Sequence, residues 1–525
     1  MSAPAVSVPF HAPVQDILFS LTHVADAARL PDWDGDLTAE VIGHFAAFAE
    51  GRIAPLDAPG DVEGCRMVDG RVVMPTGFAA LYRELAEQGW QGLSAPEAHG
   101  GQGLNAAVLA GTSEIFSGAN HALQMVTSLV PGAIGTLMRF GTPEQQARLI
   151  PPMADGRWLS TMALTEPGAG SDLSVIRTRA RRDGDHWRIT GEKIFISGGD
   201  QDLSEGIVHL VLARSGAPDI GVRGLSLFAC LSHLPDGSRN SVRASRIEEK
   251  LGLHASPTCQ MVFEDAAAEL VGEEGAGLQA MFAMMNHARL DVALQGVAHA
   301  ARAADLARNY AAERQQGRDA AGRAVTIDQH PDVARMIAEC DAWAIGGRAL
   351  CHLALVADNM ADAETEALAA FLTPVCKYIC SDGGIRAADL AIQVMGGYGY
   401  LREYGAEQNW RDARICAIYE GTNGIHARTT ATWSLSMRKG AGAKAFAAFL
   451  CSAPGLDPPA VAQWQAEAER LRAHPDPAQE AHDFMRLTTA LAWRAAWARI
   501  LAAGDHHPQP DRLAAAARAA DGMMR

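Results

Sequence analysis

The sequence predicts a mainly α-helical protein with a central antiparallel β-domain, and three observations carry this prediction. Apolar residues recur at three- and four-residue spacing up to about residue 150 and again from Gly277 onward, as in amphipathic helices. Between about residues 159 and 270, short runs rich in β-branched and aromatic residues alternate with turns that contain Gly and Asp, as in antiparallel strands. A chain of 525 residues is also too long for one small core, so we expect several packed regions.

Four regions are expected along the chain. We predict an N-terminal helical domain (1–158), a central β-domain (159–275), a C-terminal helical bundle (276–440) and a helical C-terminal extension (441–525). Within the extension, residues 452–478 are rich in Pro, Ala and acidic residues, and we predict a connector there, followed by an Ala-rich helical tail.

Local signals place some of the element boundaries. Thr142 can cap a short helix, Pro143 suits its first position, and Pro151-Pro152 is predicted to end it. In the β-region, HWRITGEKIFISGG is predicted to form two strands around the turn TGEK.

The bundle region carries four helical stretches. The first is a long amphipathic stretch from Gly277 to Arg314, and the others lie around residues 332–359, 363–393 and 422–438. We therefore expect an all-α region, then a β-region, then a four-helix-like region.

The composition narrows the classes of protein. Asp and Glu outnumber Lys and Arg by 61 to 45, so the net charge of −16 disfavours nucleic acid and anionic membranes as partners. No run of 18 apolar residues predicts a membrane span, and the N-terminus lacks the pattern of a signal peptide. The nine cysteines form no C-x-x-C pair, which predicts reduced, mostly buried thiols in a cytoplasmic protein.

Two segments of the β-region carry residues suited to a ligand. MALTEPGAGSDL contains a glycine-rich turn and the hydroxyls of Thr165 and Ser171, and its backbone N–H groups could hold an anionic or carbonyl-rich ligand. In KIFISGGD, Phe195 and Ser197 point to the same side of an extended strand and suit a flat heteroaromatic ring. Taken alone, the first segment also fits an ordinary loop and the second a half-buried strand.

Two further segments lie in the bundle region. In QVMGGYGYLREY, Gly396 and Gly397 offer a backbone-only surface, although a helix C-terminus followed by a turn gives the same pattern. In RDARICAIYEGTNGI, Glu420 follows an apolar run, and Thr422 or Asn423 can cap the next helix. Burial at the end of an apolar run raises the pKa of a carboxyl group, which suits a general base, whereas an isolated Glu is more often exposed.

Taken together and in this order, LTEPGAGSDL, KIFIS, QVMGGYGYLREY and IYEGTN resemble the signature segments of the acyl-CoA dehydrogenase family, over roughly residues 40–440. The resemblance implies the fold of that family, with an N-terminal helical domain, a β-domain and a C-terminal four-helix bundle. It also implies bound FAD, no metal, and Glu420 as the catalytic base. Residues 61–104 and 285–296, with the C-terminal extension, look like the branch that includes 3-(methylthio)propanoyl-CoA dehydrogenases, whose members also take short- and medium-chain acyl-CoAs.

The site residues of the family carry over position by position. The resemblance implies flavin contacts from Met162, Leu164, Thr165, Phe195, Ser197, Gly396, Gly397 and Thr422, and a contact from Arg314 to the FAD of a neighbouring subunit. On the substrate side, it implies Ser171, Arg289 and Gly421. It further implies that the main-chain N–H of Glu420 and a ribityl hydroxyl of FAD hold the thioester carbonyl.

Besides Asn286, which stands where the family often has an acidic residue three before Arg289, two further positions depart from the pattern of the family. Arg314 is followed by Gln315-Gln316-Gly317 without the usual Phe, and His330 stands where the family has a Gln. These two departures concern the adenine end of FAD rather than the flavin ring.

The implied reaction is the α,β-dehydrogenation of an acyl-CoA to a trans-2-enoyl-CoA, with hydride transfer to flavin N5 and electrons passed to an electron-transfer flavoprotein. FAD contacts across subunits imply at least a homodimer. An acyl-CoA oxidase, which passes the electrons to oxygen, stays an alternative because the motifs barely separate the two. A flavin-containing DNA-binding protein of the alkylation-response type shares the fold but needs a basic C-terminal region, and residues 440–525 carry no dense Lys/Arg block.

Overall fold

The protein is described by a computed structural model that covers residues 9–360 and 362–523. Its α-helices, in chain order, are α1 Val14–Phe19, α2 Gly35–Phe48, α3 Asp57–Glu63, α4 Phe78–Glu87, α5 Ala106–Thr127, α6 Leu129–Phe140, α7 Pro143–Ala154, α8 Gly277–Glu313, α9 Pro331–Asp358, α10 Ala363–Met395, α11 Ala406–Ala413, α12 Asn423–Thr429, α13 Ala441–Cys451, α14 Pro458–Arg472, α15 Ala481–Ala502 and α16 Pro510–Met523. Its strands are β1 Arg66–Val68, β2 Arg71–Val73, β3 Trp158–Ala163, β4 Arg179–Asp183, β5 His186–Ser197, β6 Gly206–Arg214, β7 Leu225–Leu231, β8 Val242–Ile247, β9 Thr258–Val271, β10 Gln315–Arg318 and β11 Ala324–Thr326.

The chain folds as two compact units. The sheet unit consists of residues 56–104 and 120–288, and the bundle unit consists of the described residues of 1–55, 105–119 and 289–525. One crossing between the units lies within α5, where Asn120 has non-helical backbone angles (φ −163°, ψ 89°). Each unit therefore combines segments that are distant in sequence.

In the sheet unit, strands β3 to β9 form one seven-stranded sheet. Strands β6, β4, β5, β9 and β7 pair in a closed circuit, with β3 attached to β6 and β8 attached to β9. The pairings are antiparallel except that β3 and β4 run parallel to β6. Closure leaves few free strand edges, and the core inside includes Trp187, Phe228 and Phe263.

The prediction of two strands around the turn TGEK is wrong, because β5 runs without a break from His186 to Ser197. Its pairing with β9 shifts register between Ile189 and Gly191. A β-bulge therefore takes the place of the predicted turn, and the glycine there lies close to Thr178, where a Cβ atom would not fit.

Several helices begin at residues whose side chains cap them. Thr142 accepts a hydrogen bond from the N–H of Gln145, and the side chain of Gln145 accepts one from the N–H of Thr142. At α10, Asp362 accepts hydrogen bonds from the N–H groups of Glu364 and Thr365. These bonds satisfy N–H groups that have no partner inside the helix, and the predicted cap at Thr142 is confirmed.

Two predictions about proline-containing segments are wrong. Pro151 and Pro152 lie inside α7, which continues to Ala154. A proline lacks only its own N–H, so the carbonyl of Pro151 still accepts a bond from Asp155 and the last turn forms. The predicted connector at 452–478 contains α14, because its two leading prolines occupy first-turn positions that need no N–H donor.

In the bundle unit, the extension is part of the packed core. Helices α15 and α16 pack on α9, and α13 packs on α10. Gly346 of α9 lies against the rings of Trp493 and Trp497, and a Cβ atom at Gly346 would come within 2.6 Å of both rings. Among the described residues, no helix has the length and hydrophobicity needed to span a membrane.

A buried network of charges joins the extension to the rest of the bundle unit. Arg348 of α9 pairs with Glu114 of α5 at 2.6 Å. Arg512 of α16 pairs with Asp16 of α1 and with Asp341 of α9, each at 2.9 Å. We call these five side chains the paired network.

Candidate active site

Glu420 lies in a strained turn of the bundle unit, between the 3₁₀ turn Arg414–Ala417 and helix α12. Its backbone is left-handed (φ 53°), and Gly421 follows with φ 92°. Thr422 then caps α12 by accepting a hydrogen bond from the N–H of Ile425, so the predicted cap is Thr422 rather than Asn423. A left-handed backbone is uncommon for Glu, and such strain is concentrated at functional sites.

One oxygen of the Glu420 carboxylate is enclosed. This Oε2 atom is inaccessible to solvent and has no hydrogen-bond partner. Burial raises the pKa of Glu420 to about 7, Asp291 acts in the same direction, and the charges of Arg289 and Lys377 oppose them. This is the desolvation that the apolar run before Glu420 predicts.

Three side chains hold the main chain of this turn. The carbonyl of Glu420 accepts hydrogen bonds from Nε of Arg289 (3.4 Å) and from Nε2 of His426 (3.1 Å). The carbonyl of Gly421 accepts one from Nζ of Lys377 (2.7 Å). The structure thus brings Glu420, Gly421 and Arg289 together, as the sequence predicts, and adds two residues that sequence reasoning missed.

The sequence contains only weak indications of the two missed residues, Lys377 and His426. Lys377 lies in the run PVCKYIC, where its neighbours are apolar, and this placement is unusual for a solvent-exposed lysine. His426 follows the cap of α12 and is buried, and burial lowers its pKa to about 3, so the ring is neutral. Because the ring donates from Nε2 to a carbonyl, the unprotonated nitrogen is Nδ1, which has no hydrogen-bond partner.

A second group of predicted residues lines a cavity of about 480 Å³ in the same unit. The guanidinium of Arg314 stacks on the ring of Tyr398 at 5.3 Å, and Gly396 and Gly397 form part of the wall. A Cβ atom at either glycine would meet nothing within 4 Å, so both present open backbone. Tyr398 is a wall residue that sequence reasoning missed, although it lies within the quoted glycine motif.

Two of the departures from the family pattern lie next to this cavity. Nε2 of His330 donates a hydrogen bond to the carbonyl of Gln316 at 2.8 Å. His330 is therefore used to shape the local turn, while Gln316 lines the cavity.

The remaining predicted residues lie in the sheet unit. Met162 is on β3, and Ser171 is exposed in the loop that follows this strand. The carbonyl of Leu164 accepts a hydrogen bond from Nζ of the buried Lys193, and the carbonyl of Thr165 accepts one from the N–H of Ile194. These bonds tie the glycine-rich loop to β5.

The end of β5 presents an aromatic side chain to solvent. Phe195 is 61% exposed and has a left-handed backbone (φ 59°) at an irregularity in the pairing with β9. Ser197 is half-buried, two residues further along. An exposed Phe held by a strained backbone is suited to contact a bound ring rather than the core.

Comparison with known families matches three consecutive regions of the chain. The N-terminal domain of acyl-CoA dehydrogenases matches residues 40–157, the middle domain matches 161–266 and the C-terminal domain matches 275–435.

Individual relatives agree with the family match. The chain is 40% identical to the 3-methylmercaptopropionyl-CoA dehydrogenase of Ruegeria pomeroyi over 88% of this chain and 82% of that protein. It is 34% identical to the broad-specificity linear acyl-CoA dehydrogenase FadE5 of Mycobacterium tuberculosis over 80% and 74%, respectively.

Solved structures share the fold. The butyryl-CoA dehydrogenase of Megasphaera elsdenii aligns with a TM-score of 0.66 and 25% identity over 76% of this chain and 98% of that chain. A chain from work on the electron transferring flavoprotein of Acidaminococcus fermentans aligns with a TM-score of 0.67 and 28% identity over 76% and 98%. Caenorhabditis elegans ACDH-11, in complex with C11-CoA, aligns at 0.83 over 99% of this chain and 92% of that one with 20% identity, which shows that the fold is shared through the extension.

The family matches cover most of residues 40–435, and the sequence is 40% and 34% identical to the two relatives. The chain belongs to the acyl-CoA dehydrogenase family, the FAD-dependent oxidoreductases that act on the CH–CH group of acyl-CoA.

Proposed function

We propose that Glu420 is the base that removes the α-proton of an acyl-CoA thioester, which is dehydrogenated to a trans-2-enoyl-CoA. The observation that carries this proposal is the enclosed carboxylate oxygen without a partner, on a group whose pKa burial raises to about 7. Such a carboxylate is a stronger base than an exposed one, and with a pKa of about 7 roughly half of it is ionised at neutral pH.

The main-chain N–H of Glu420 is the second group that we assign to the reaction. Among the described residues, its N–H donates to no protein acceptor, whereas its carbonyl is held by two side chains. We assign this N–H to the thioester carbonyl, whose oxygen gains negative charge as the α-proton leaves. One such donor in an enclosed site contributes about 3 kcal/mol to stabilisation of the transition state.

The residues fit the flavin that the family uses. In the sheet unit, we assign Met162, Leu164, Thr165, Phe195 and Ser197 to the ring, since Phe195 is exposed on a strained strand end beside the glycine-rich loop. In the bundle unit, we assign Arg314, Gly396 and Gly397 to FAD because they line an open cavity, and Thr422 because it follows the base. When bound, the flavin accepts the hydride from the β-carbon.

We assign the substrate contacts and the acyl chain from the similarity to relatives and not from the shape of a cavity. We assign Ser171, Arg289 and Gly421 to the substrate side, with Arg289 supported by its bond to the Glu420 carbonyl. We propose 3-(methylthio)propanoyl-CoA or another short- to medium-chain acyl-CoA as substrate, supported by the name of the 40% identical relative. In that acyl group, the sulfur lies on the β-carbon, where its lone pair stabilises the charge that develops as hydride leaves.

One experiment tests the reaction and the substrate together. The purified FAD-loaded protein is mixed with a panel of acyl-CoAs, and bleaching of the flavin absorbance is followed. 3-(Methylthio)propanoyl-CoA is compared with pentanoyl-CoA, which has a methylene in place of the sulfur and nearly the same length. We expect faster bleaching with the sulfur compound; equal or faster bleaching with pentanoyl-CoA would contradict the substrate proposal.

The base is tested in the same assay. Glu420→Gln keeps the shape of the side chain but cannot accept the proton, so we expect bound FAD and a rate of bleaching at least about 10³-fold lower. A near-parental rate in this variant would show that Glu420 is not the base.

The electron acceptor separates a dehydrogenase from an oxidase. We propose an electron-transfer flavoprotein as acceptor and at least a homodimer as the assembly. After reduction by substrate, the flavin colour should return quickly with electron-transfer flavoprotein and slowly with oxygen. Rapid return in air, with production of hydrogen peroxide, would identify an oxidase instead.

A further inference from the structure

Lys377 is a buried cation in the middle of α10. Its side chain is fully buried, and within the part of the chain that the structure describes it forms no ion pair. Its ammonium donates instead to the carbonyl of Gly421 (2.7 Å) and to Oδ1 of Asn423 (3.2 Å). An ammonium that is not in a contact ion pair is costly to bury, so a residue of this kind needs a reason beyond packing.

The two acceptors lie on the turn that carries Glu420. Glu420 and Gly421 both have positive φ, and the first of these is strained for a residue with a side chain. Arg289 and His426 fix the carbonyl of Glu420, while Lys377 fixes the next carbonyl along the chain. With two successive carbonyls held, the peptide planes that follow Glu420 and Gly421 cannot rotate freely, which restricts the turn that carries the Glu420 side chain and N–H.

We propose that Lys377 is a positioning residue for Glu420: by holding the Gly421 carbonyl, its ammonium maintains the left-handed turn that presents the carboxylate and the N–H of Glu420 to the substrate. This inference rests on the proposed role of Glu420. It explains why a cation, rather than an apolar side chain, occupies this position in α10.

The charge of Lys377 has a second effect on the same carboxylate. The groups that face Glu420 are Arg289 and Asp291 from α8, Lys377 from α10, His426 from α12 and Tyr419 from the turn itself. Burial lowers the pKa of Lys377 to about 8, so it is mostly charged at neutral pH. Its positive charge lowers the pKa of Glu420, against the effect of burial.

Two substitutions separate geometry from charge. Lys377→Met removes both the hydrogen bond and the charge, and Lys377→Gln keeps an amide donor without the charge. We expect Lys377→Met to bind FAD normally and to reduce the flavin about 100-fold more slowly, with little change in KM, because the base is misplaced. Lys377→Gln should recover part of this rate.

The pH profile of kcat/KM supplies a readout that a purely structural role would not move. A base must be deprotonated, so the rate rises as pH increases through the pKa of Glu420, and loss of a nearby cation raises that pKa. Both variants should therefore shift the acid limb to higher pH. Thr373→Val, one turn earlier on α10, removes only a bond within the helix and should keep the parental rate and limb.

The outcomes are distinguishable. The positioning role is overturned if both Lys377 variants keep the parental rate and limb, or if they lose rate only in proportion to lost FAD with the limb unmoved. Glu420→Gln is measured alongside: if it turns over normally, the proposed function itself fails. If Glu420→Gln is inactive and Lys377→Met is normal, only the positioning role fails.

Discussion

Two sets of buried charges in the bundle unit differ in how they are compensated. In the paired network, Arg348 has Glu114 at 2.6 Å, and Arg512 bridges two carboxylates. At the candidate active site, Glu420 and Lys377 form no ion pair within the described residues, and the Oε2 atom of Glu420 has no hydrogen-bond partner. Arg348 and Glu114 in the first set and Lys377 in the second are each at most 1% exposed, so depth alone does not explain the difference.

The two sets of charges also differ in how far neighbouring groups offset the effect of burial on the pKa. Burial acts to lower the pKa of Arg348, but the carboxylates of Glu114 and Asp16 more than offset this and its pKa is raised, whereas for its partner Glu114 burial outweighs the charge of Arg348 and raises the pKa of the carboxyl group. Burial raises the pKa of Glu420, and the neighbouring cations only partly offset the effect. A compensated charge holds helices together, whereas an undercompensated one remains reactive and costs stability.

The largest effect should come from breaking the paired network. Arg348→Met leaves Glu114 buried without its partner, and we expect a loss of about 3–5 kcal/mol in the free energy of unfolding, measured with urea. Adding Glu114→Gln removes the stranded charge and should recover part of the loss. A loss under about 1 kcal/mol would mean that the pair does not stabilise the bundle.

At the active site, unfolding with urea should show a gain in the free energy of unfolding rather than a loss. The pKa of Glu420 is raised from 4.5 to about 7 in the folded protein, so its ionisation favours unfolding, and the penalty grows between these values and is complete above pH 7. We expect Glu420→Gln to be more stable than the parent by up to about 3 kcal/mol at pH 8. The advantage should vanish below pH 4; a variant less stable at pH 8 would contradict the comparison.

A smaller effect is expected at the rim of the paired network. Arg512→Met removes the link from α16 to Asp16 and Asp341, and we expect a loss of about 1–3 kcal/mol in the free energy of unfolding. Arg494→Met is the matched control, because this arginine is exposed on the neighbouring helix α15. If the two variants lose equal stability, the link from α16 contributes nothing specific.

The smallest expected effect is on the rate at moderately acid pH. Protonation of Glu420 removes the base, so kcat/KM should fall about tenfold for each pH unit below 7. The pKa of about 7 sets the position of this limb. A limb near pH 4.5 would mean that the carboxylate is hydrated in the working enzyme, unlike the enclosed group described above.

Much of the fold could be predicted from the sequence where a pattern persists. Helices α8, α9 and α10 are 28 to 37 residues long, and all three begin and end within a few residues of their predicted limits. Short signals were less reliable: TGEK fits a turn as well as a bulge, and Pro151-Pro152 fits a helix end as well as a last turn. Pairing with β9 and the packing of α7 decide between these choices, and neither is local in sequence.

The candidate site likewise contains some residues that could be predicted from the sequence and others that could not. The burial of Glu420 could be predicted from the apolar residues before it, and the cap at Thr422 from its hydroxyl. Lys377 and His426 were missed because they approach the turn from another helix or from beyond the cap, which no spacing rule describes. The assignments of the flavin and substrate residues stay predictions that the experiments above can test.

The link between α1 and α16 has a consequence during synthesis. The ribosome makes Asp16 long before Arg512, its partner 496 residues later. Until Arg512 emerges, the carboxylate of Asp16 lacks this charge, and the surface of α9 that α16 covers stays exposed. The bundle unit therefore completes its fold only after translation of α16, and in a chain cut short before this helix the surface of α9 that α16 covers is left open to solvent.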